Sequence, residues 1–243
     1  MRMLTFAGRN TKEILRDPLN LAFGLGFPLA LILLLSAIQA SIPVQLFELQ
    51  RLTPGITVFG LSFITLFSAT IIAKDRSSSL LQRLYTTPLR PVDFILGYTL
   101  PLVPIAVAQR IICYLAAIAL GLAVTVNMLY AVLGIVPVSV LYIALGLLCG
   151  SALNDKQVGG ICGALLTNLS AWLSGVWFDL DLVGGTFKKI AYALPFVHAV
   201  DMQRAILAGD FADVFPHVWW VLGYAAVLLT AAVLLFLRQM KKQ

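Results

Sequence analysis

The chain has 243 residues, 60% of them hydrophobic and only 12% charged, with a formal net charge of +6. Soluble domains carry about a quarter charged residues, so this balance and a mean hydropathy of +0.94 exclude that class and predict an all-α integral membrane protein in a lipid bilayer. Its Lys and Arg form no basic run interleaved with aromatics, so no nucleic-acid partner is expected.

Residues 2–16, RMLTFAGRNTKEILR, come first. At 100° per residue Arg2, Arg9, Lys12 and Arg16 share one face and Met3, Leu4, Ala7, Ile14 and Leu15 another, the pattern of a basic amphipathic helix on a membrane surface. Asp17-Pro18 ends it, because proline disfavours helix at the preceding residue. No secretory cleavage signal is expected here, since the next apolar run is too long for one.

Uncharged runs follow at 18–47, 52–73, 111–154, 157–178 and 214–237, each long enough for the roughly 20 residues of a spanning helix. The third is too long for one span, and 94–109 is also uncharged. The economical division is a helix near 97–123 carrying Arg110, a turn at Val124 to Met128, and a helix near 129–153. Six spans result, with both termini on one side. That side collects Arg2, Arg9, Lys12, Arg16, Lys74, Arg76, Arg83, Arg90, Lys156, Arg238, Lys241 and Lys242, twelve in all, against Arg51, Lys188, Lys189 and Arg204 on the other. The richer side is expected to be cytoplasmic.

Arg110 is the one full charge at membrane depth, where insertion costs about 2.5–3.5 kcal/mol. It faces either an anionic substrate group, another helix as a lock, or the surface by snorkelling. Gly146 to Gly150 and Gly159 to Gly163 have the GxxxG spacing that permits close helix approach. Cys113, Cys149 and Cys162 lack metal-like spacing and are expected as small core residues. Between 179 and 213, charges, glycines and Pro195 break the apolar background into pieces too short to span. These predict a hairpin of short helices at the outer leaflet, or an extracellular loop. His198 falls there and His217 near Trp219 and Trp220, where an aromatic interface belt is expected; both are expected to serve packing or interface roles. No GxxxxGK[ST] or HExxH occurs, and no predicted span holds Asp or Glu, so energy for work is expected from outside the chain.

The most polar stretch is AKDRSSSLLQRLYTTPLRPVDF, residues 73–94. Ser79 and Gln82 fit a capping box opening a short helix that Pro88 stops. Leu80, Leu81, Leu84 and Tyr85 share one of its faces, opposite Gln82 and Arg83, and so short a helix needs something to pack against.

This stretch, with Asp75, Ser77 to Ser79 and LLQRLYTTPLRPVDFILGY, resembles the coupling loop of ABC-2 type permeases, the membrane subunits of type V ABC exporters. Residues 173–210 are similar to that family's outer re-entrant segment, with Ser174, Gly175, Phe178, Pro195, Asp201, Arg204 and Gly209 in matching places. Tyr98 stands at a common Lys, Asp179 at a Pro, Leu194 at an Asn, and serines at a Gly-Thr near 78. The resemblance covers the whole chain and implies a single transmembrane domain, 1–243, of six spans in the inner membrane. Asp75, Ser79, Leu80, Leu81, Gln82, Arg83, Leu84 and Tyr85 would form the coupling site on an ABC ATPase subunit present in two copies. ATP and Mg would be bound there, with no cofactor on this chain. A second permease subunit, identical or not, would complete a pathway lined by spans one, two and five. Phe59, Phe63 and Phe67, recurring every four residues, are then wall candidates or packed core. The implied function is export of a drug, peptide, lipid or glycan-lipid; the alternatives are a non-transporting accessory or immunity subunit, or an intramembrane enzyme.

Overall fold

The computed structural model describes residues 2–43, 46–78 and 91–240, and every regular element among them is a helix. Helix α1 is Arg2–Leu15. Helix α2, Pro18–Ser41, starts where predicted, with the Asp17 carboxylate accepting the Asn20 N–H. α3 is Leu49–Ser77. α4, Pro91–Thr99, and α5, Leu102–Ala119, run on as one span. α6 is Asn127–Ala152, so the long uncharged run divides as expected, with Gly121 at a positive φ of 108° in the connection. α7 covers residues 155–173, α8 Leu180–Val183, α9 Gly185–Ala193, α10 Pro195–Ala208 and α11 Phe211–Met240.

Five helical stretches are long and apolar enough to cross a membrane: Pro18–Ser41, Leu49–Ser77, Val92–Ala119, Asn127–Ala152 and Phe211–Arg238. The chain is therefore an all-α, multi-pass membrane protein. The remaining expected span is α7, built of α, π and α segments of 4, 8 and 7 residues. Asp155, Lys156, Gln157 and Asn168 make it less apolar than the other five.

α3 is the central post, packed by α2, α5, α6, α7 and α10. Its contact with α6 is the tightest. A Cβ at Gly146 would lie 2.6 Å from the Thr65 carbonyl oxygen, and one at Gly150 2.7 Å from that of Ala69, so only glycine lets the backbones meet there. The other GxxxG pair is not used this way: nothing lies within 4 Å of a Cβ at Gly159, and Gly163 meets only the Leu66 side chain. Thr65 donates to the Tyr142 carbonyl at 2.7 Å, and the Tyr142 hydroxyl meets Ser170 Oγ at 2.9 Å, joining α3, α6 and α7.

α1 is the expected helix, and part of one side is covered by protein. Phe6, Ala7, Asn10 and Ile14 are buried, whereas Leu4 and Leu15 are 64% and 56% exposed. The reason is a protein partner: Phe6 packs edge-on against Phe94 and Tyr98, and Asn10 Nδ2 donates to the Gly97 carbonyl at 2.9 Å. The 179–213 region is a set of short helices, as expected. Leu194 is extended before Pro195, which opens α10. Phe196, Val197, Ala199, Val200 and Met202 then bury α10 against α3, α6 and α11.

Candidate functional site

At the end of the bundle where α1, α4 and the C-terminus of α6 meet, two adjacent residues carry the polar chemistry. Asp75, in the last turn of α3, is 2% exposed. Its Oδ2 accepts from Arg9 Nη1 at 2.6 Å and its Oδ1 from Nη2 at 2.8 Å, and Tyr98 adds a hydroxyl donor at 2.9 Å. Such two-armed Arg–carboxylate bonds are the strong class. Burial is the largest single influence and opposes the charge on Arg9, but the bond to Asp75 together with the charges of Asp75 and Glu13 outweighs it, and the guanidinium pKa lies above its ordinary value. Glu13 covers the other side of Arg9 at 2.6 Å. Arg76 turns the opposite way: its Nη1 lies 2.8 Å from the Gly150 carbonyl oxygen, 2.6 Å from that of Ser151 and 3.2 Å from that of Leu153. A cation there satisfies the orphan carbonyls at the C-terminus of α6.

Residues 75 and 76 thus bind α3 to α1, α4 and α6 at the point where the polar stretch leaves. Of the expected coupling residues, Asp75 faces inward. Ser79, Leu80, Leu81, Gln82, Arg83, Leu84 and Tyr85 lie outside the described residues.

In the interior, the Arg110 guanidinium is fully buried. Its Nη1 donates to Thr57 Oγ1 at 3.0 Å and its Nη2 to the Tyr114 hydroxyl at 2.7 Å, above the Tyr114 ring at 4.7 Å from the centroid. Nε has no partner. This enclosed position joins α5 to α3 through Thr57. Beside it Gln109 donates to the Thr57 carbonyl at 3.1 Å.

Phe59, Phe63 and Phe67 are buried. Phe63 meets Phe23 and Phe27 with centroids at 5.8 and 5.4 Å, Phe59 meets Trp177 at 5.7 Å, and Phe67 closes on Gly24. The stripe therefore unites α2, α3 and the segment after α7. Phe23 and Phe27 form its exposed edge.

The opposite end is built from looser pairs. Arg204 Nη1 lies 3.4 Å from Asp201 and its Nη2 donates to the Gly175 carbonyl at 2.9 Å, while Arg51 and Asp179 pair at 2.9 Å. Burial raises the Asp201 pKa, with Arg204 opposing. A cavity of ≈ 230 Å³ opens here, lined by Phe47, Arg51, Trp177, Phe178, Asp179 and Arg204 among others. Pro195 sets the start of the helix that carries Asp201 and Arg204. His198 and His217 meet each other, Nδ1 to Nδ1 at 2.8 Å.

Sequence reading did not single out Arg9 or Tyr98 as partners of Asp75, nor Arg76 as a cap, nor Trp177 in the aromatic cluster. Each sits far along the chain from its partner, and no local spacing signals it.

The polar end, the aromatic stripe and the short-helix hairpin fall inside or beside residues 44–234, which match the model of the ABC-2 family transporter protein. The chain belongs to this family. The capsule polysaccharide export inner-membrane protein CtrC of Neisseria meningitidis serogroup B (strain ATCC BAA-335 / MC58) is similar, at 28% identity over 148 residues. That match covers 60% of this chain and 56% of the relative, so the chain spans about half of the length of the curated protein it matches. As an ABC-2 family protein the chain is a membrane transport subunit. Two departures from the family motif now have a local account in this ABC-2 chain. Tyr98, at the place of a common Lys, supplies a neutral donor to Asp75. Asp179, at the place of a Pro, caps α8 by accepting the Asp181 N–H and pairs with Arg51.

Proposed function

We propose that this chain is the permease subunit of an ATP-driven exporter, powered by a separate ABC ATPase that docks on the polar stretch at residues 73–94. The observation that carries the reading is the hub at Asp75 and Arg76. A push on a loop leaving at this point would be passed at once to α1, α4 and α6, because each is hydrogen-bonded to one of the two residues. The ATPase would come in two copies and hold ATP and Mg, with no cofactor on this chain. A second permease copy or homologue would complete the pathway beside the aromatic stripe. In this reading the chain sits in the inner membrane as a single transmembrane domain, with the basic end and both termini cytoplasmic. Among drug, peptide, lipid and glycan-lipid, a glycan-lipid is favoured by the name of the capsule-export relative and by the aromatic faces of Phe23, Phe27 and Trp177.

Co-purification tests the docking. If Leu80, Leu81, Leu84 and Tyr85 fill a groove on the ATPase, Leu84→Asp places an unpaired carboxylate in it, which costs several kcal/mol. Binding then falls by more than a hundredfold, since about 1.4 kcal/mol is a factor of ten. Equal recovery of the ATPase with wild type and Leu84→Asp would refute the docking. Orientation is tested by cysteines at Ser41 and Gly184, which should label from outside intact cells, and at Ser78, which should not.

A further inference from the structure

At the end opposite the basic hub, three helices are joined through one pair of imidazoles. His198, in the first turn of α10, places Nε2 2.9 Å from the Tyr192 carbonyl oxygen near the end of α9, and Nδ1 2.8 Å from Nδ1 of His217 on α11. A carbonyl only accepts, so Nε2 of His198 carries a proton and, in the neutral ring, Nδ1 holds the lone pair. The bond between the rings then requires the proton on His217 Nδ1. His217 Nε2 keeps its lone pair, 4.0 Å from Asp213 Oδ2. The tautomers of both rings follow from their partners alone.

We propose that the His198–His217 pair is an acid-sensitive latch, an N–H···N bond that acts beside the Tyr224 hydroxyl bond to the Ala193 carbonyl in fixing the α9–α10 hairpin on α11 at neutral pH, and that loosens this contact when both rings are charged. With one added proton the pair still keeps one lone pair between the rings, so a single N–H···N bond survives. A second must take up that lone pair, which sets two N–H groups and two cations face to face across 2.8 Å. That contact cannot persist. Trp220 stacks on His198 at 4.8 Å and 5°, and both imidazoles are more than four-fifths covered, so the rings cannot turn aside without parting the helices.

Charged and titratable groups face the pair from each neighbouring helix. α9 contributes Tyr192, with Lys188 above its ring; α10 contributes Asp201 and Arg204; α11 contributes Asp213. α3 and α6, which also pack on α10, contribute Arg51 beside Arg204, and Tyr142 against Phe196. Burial depresses the His198 pKa below the ordinary 6.5, as does the neighbouring His217, while the Tyr192 carbonyl and Asp201 oppose this. The sign follows: a histidine with a lowered folded-state pKa stabilises the closed form above pH 6.5, and the contribution is lost as pH falls.

The test uses the full chain in lipid nanodiscs, with Cys113, Cys149 and Cys162 replaced by alanine and spin labels at Ile190 on α9 and Leu222 on α11, both exposed. Distances are measured at about pH 7.5 and about pH 5.5, a window in which histidine titrates. Wild type should give a narrow distribution at the higher pH that shifts longer and broadens at the lower. His217→Gln offers an amide N–H in place of the imidazole donor and does not titrate, so its acid response should vanish; His198→Gln, which keeps an N–H for the Tyr192 carbonyl, should behave alike. An unchanged wild-type distribution overturns the latch. So does an acid response that persists in both variants, which assigns the titration to Asp201. Loss of ATPase association would leave this result untouched, because the measurement needs no transport.

Discussion

The two ends of the bundle use charge in opposite ways. At the basic end the carboxylate of Asp75 is buried and receives three donors, and Arg76 spreads over the last carbonyls of α6. At the other end Arg51 and Asp179 form a pair whose side chains are 63% and 38% exposed, and His198 meets His217 of α11 at 2.8 Å. Buried charge-assisted bonds hold one geometry because losing a partner strands a charge; exposed pairs exchange for water at little loss. The basic end is therefore held more firmly in one geometry than the opposite end.

Arg9→Ala should give the largest effect. It leaves the Asp75 carboxylate buried with Tyr98 alone, and a broken buried pair costs about 3–5 kcal/mol, with the low end expected because Arg9 is part-exposed. Thermal unfolding in detergent should show a clear drop in Tm. The double change Arg9→Leu with Asp75→Leu should recover most of it, and a drop no larger than that of Arg51→Ala would erase the contrast between the ends. Next comes Arg76→Ala, at about 2 kcal/mol for a charged donor removed from carbonyl acceptors. Proteolysis near residue 153 should speed up as the end of α6 frays.

Between the ends lies Arg110, which sharpens the comparison because it is buried with neutral partners only. Arg110→Met removes an unpaired charge along with its hydrogen bonds, so stability should change by less than about 1 kcal/mol. Transport should change more than assembly. Normal transport by a well-assembled variant would leave Arg110 as a lock alone. The smallest effect is expected from Arg51→Ala, under about 1 kcal/mol and further reduced at high salt. A larger loss would mean that the exposed end is held as firmly as the basic one.

Much of this was legible without coordinates. The break at Asp17-Pro18 and the short helices around Pro195 appeared as predicted, and residues 111–154 divide into two helices as expected, though the connection begins at Leu120, four residues before the expected turn. α1 was legible as a helix but not in its contacts. Leu4 and Leu15 follow the apolar periodicity and yet point outward, while Asn10 is buried because the Gly97 carbonyl meets it.

Sequence by itself determined the class of protein, the positions of the long helices and the family's motif-bearing segments, because the roughly 20-residue thickness of a bilayer, backbone hydrogen bonding and proline act within one stretch of chain. Only the tertiary structure decided which charges meet. Arg9 and Asp75 are 66 positions apart, Arg76 and Gly150 are 74, and His198 and His217 are 19. Each pairing depends on how helices are laid side by side, and close packing, as at Gly146 and Gly150 against α3, is set by the fit of whole surfaces and has no signature along the chain.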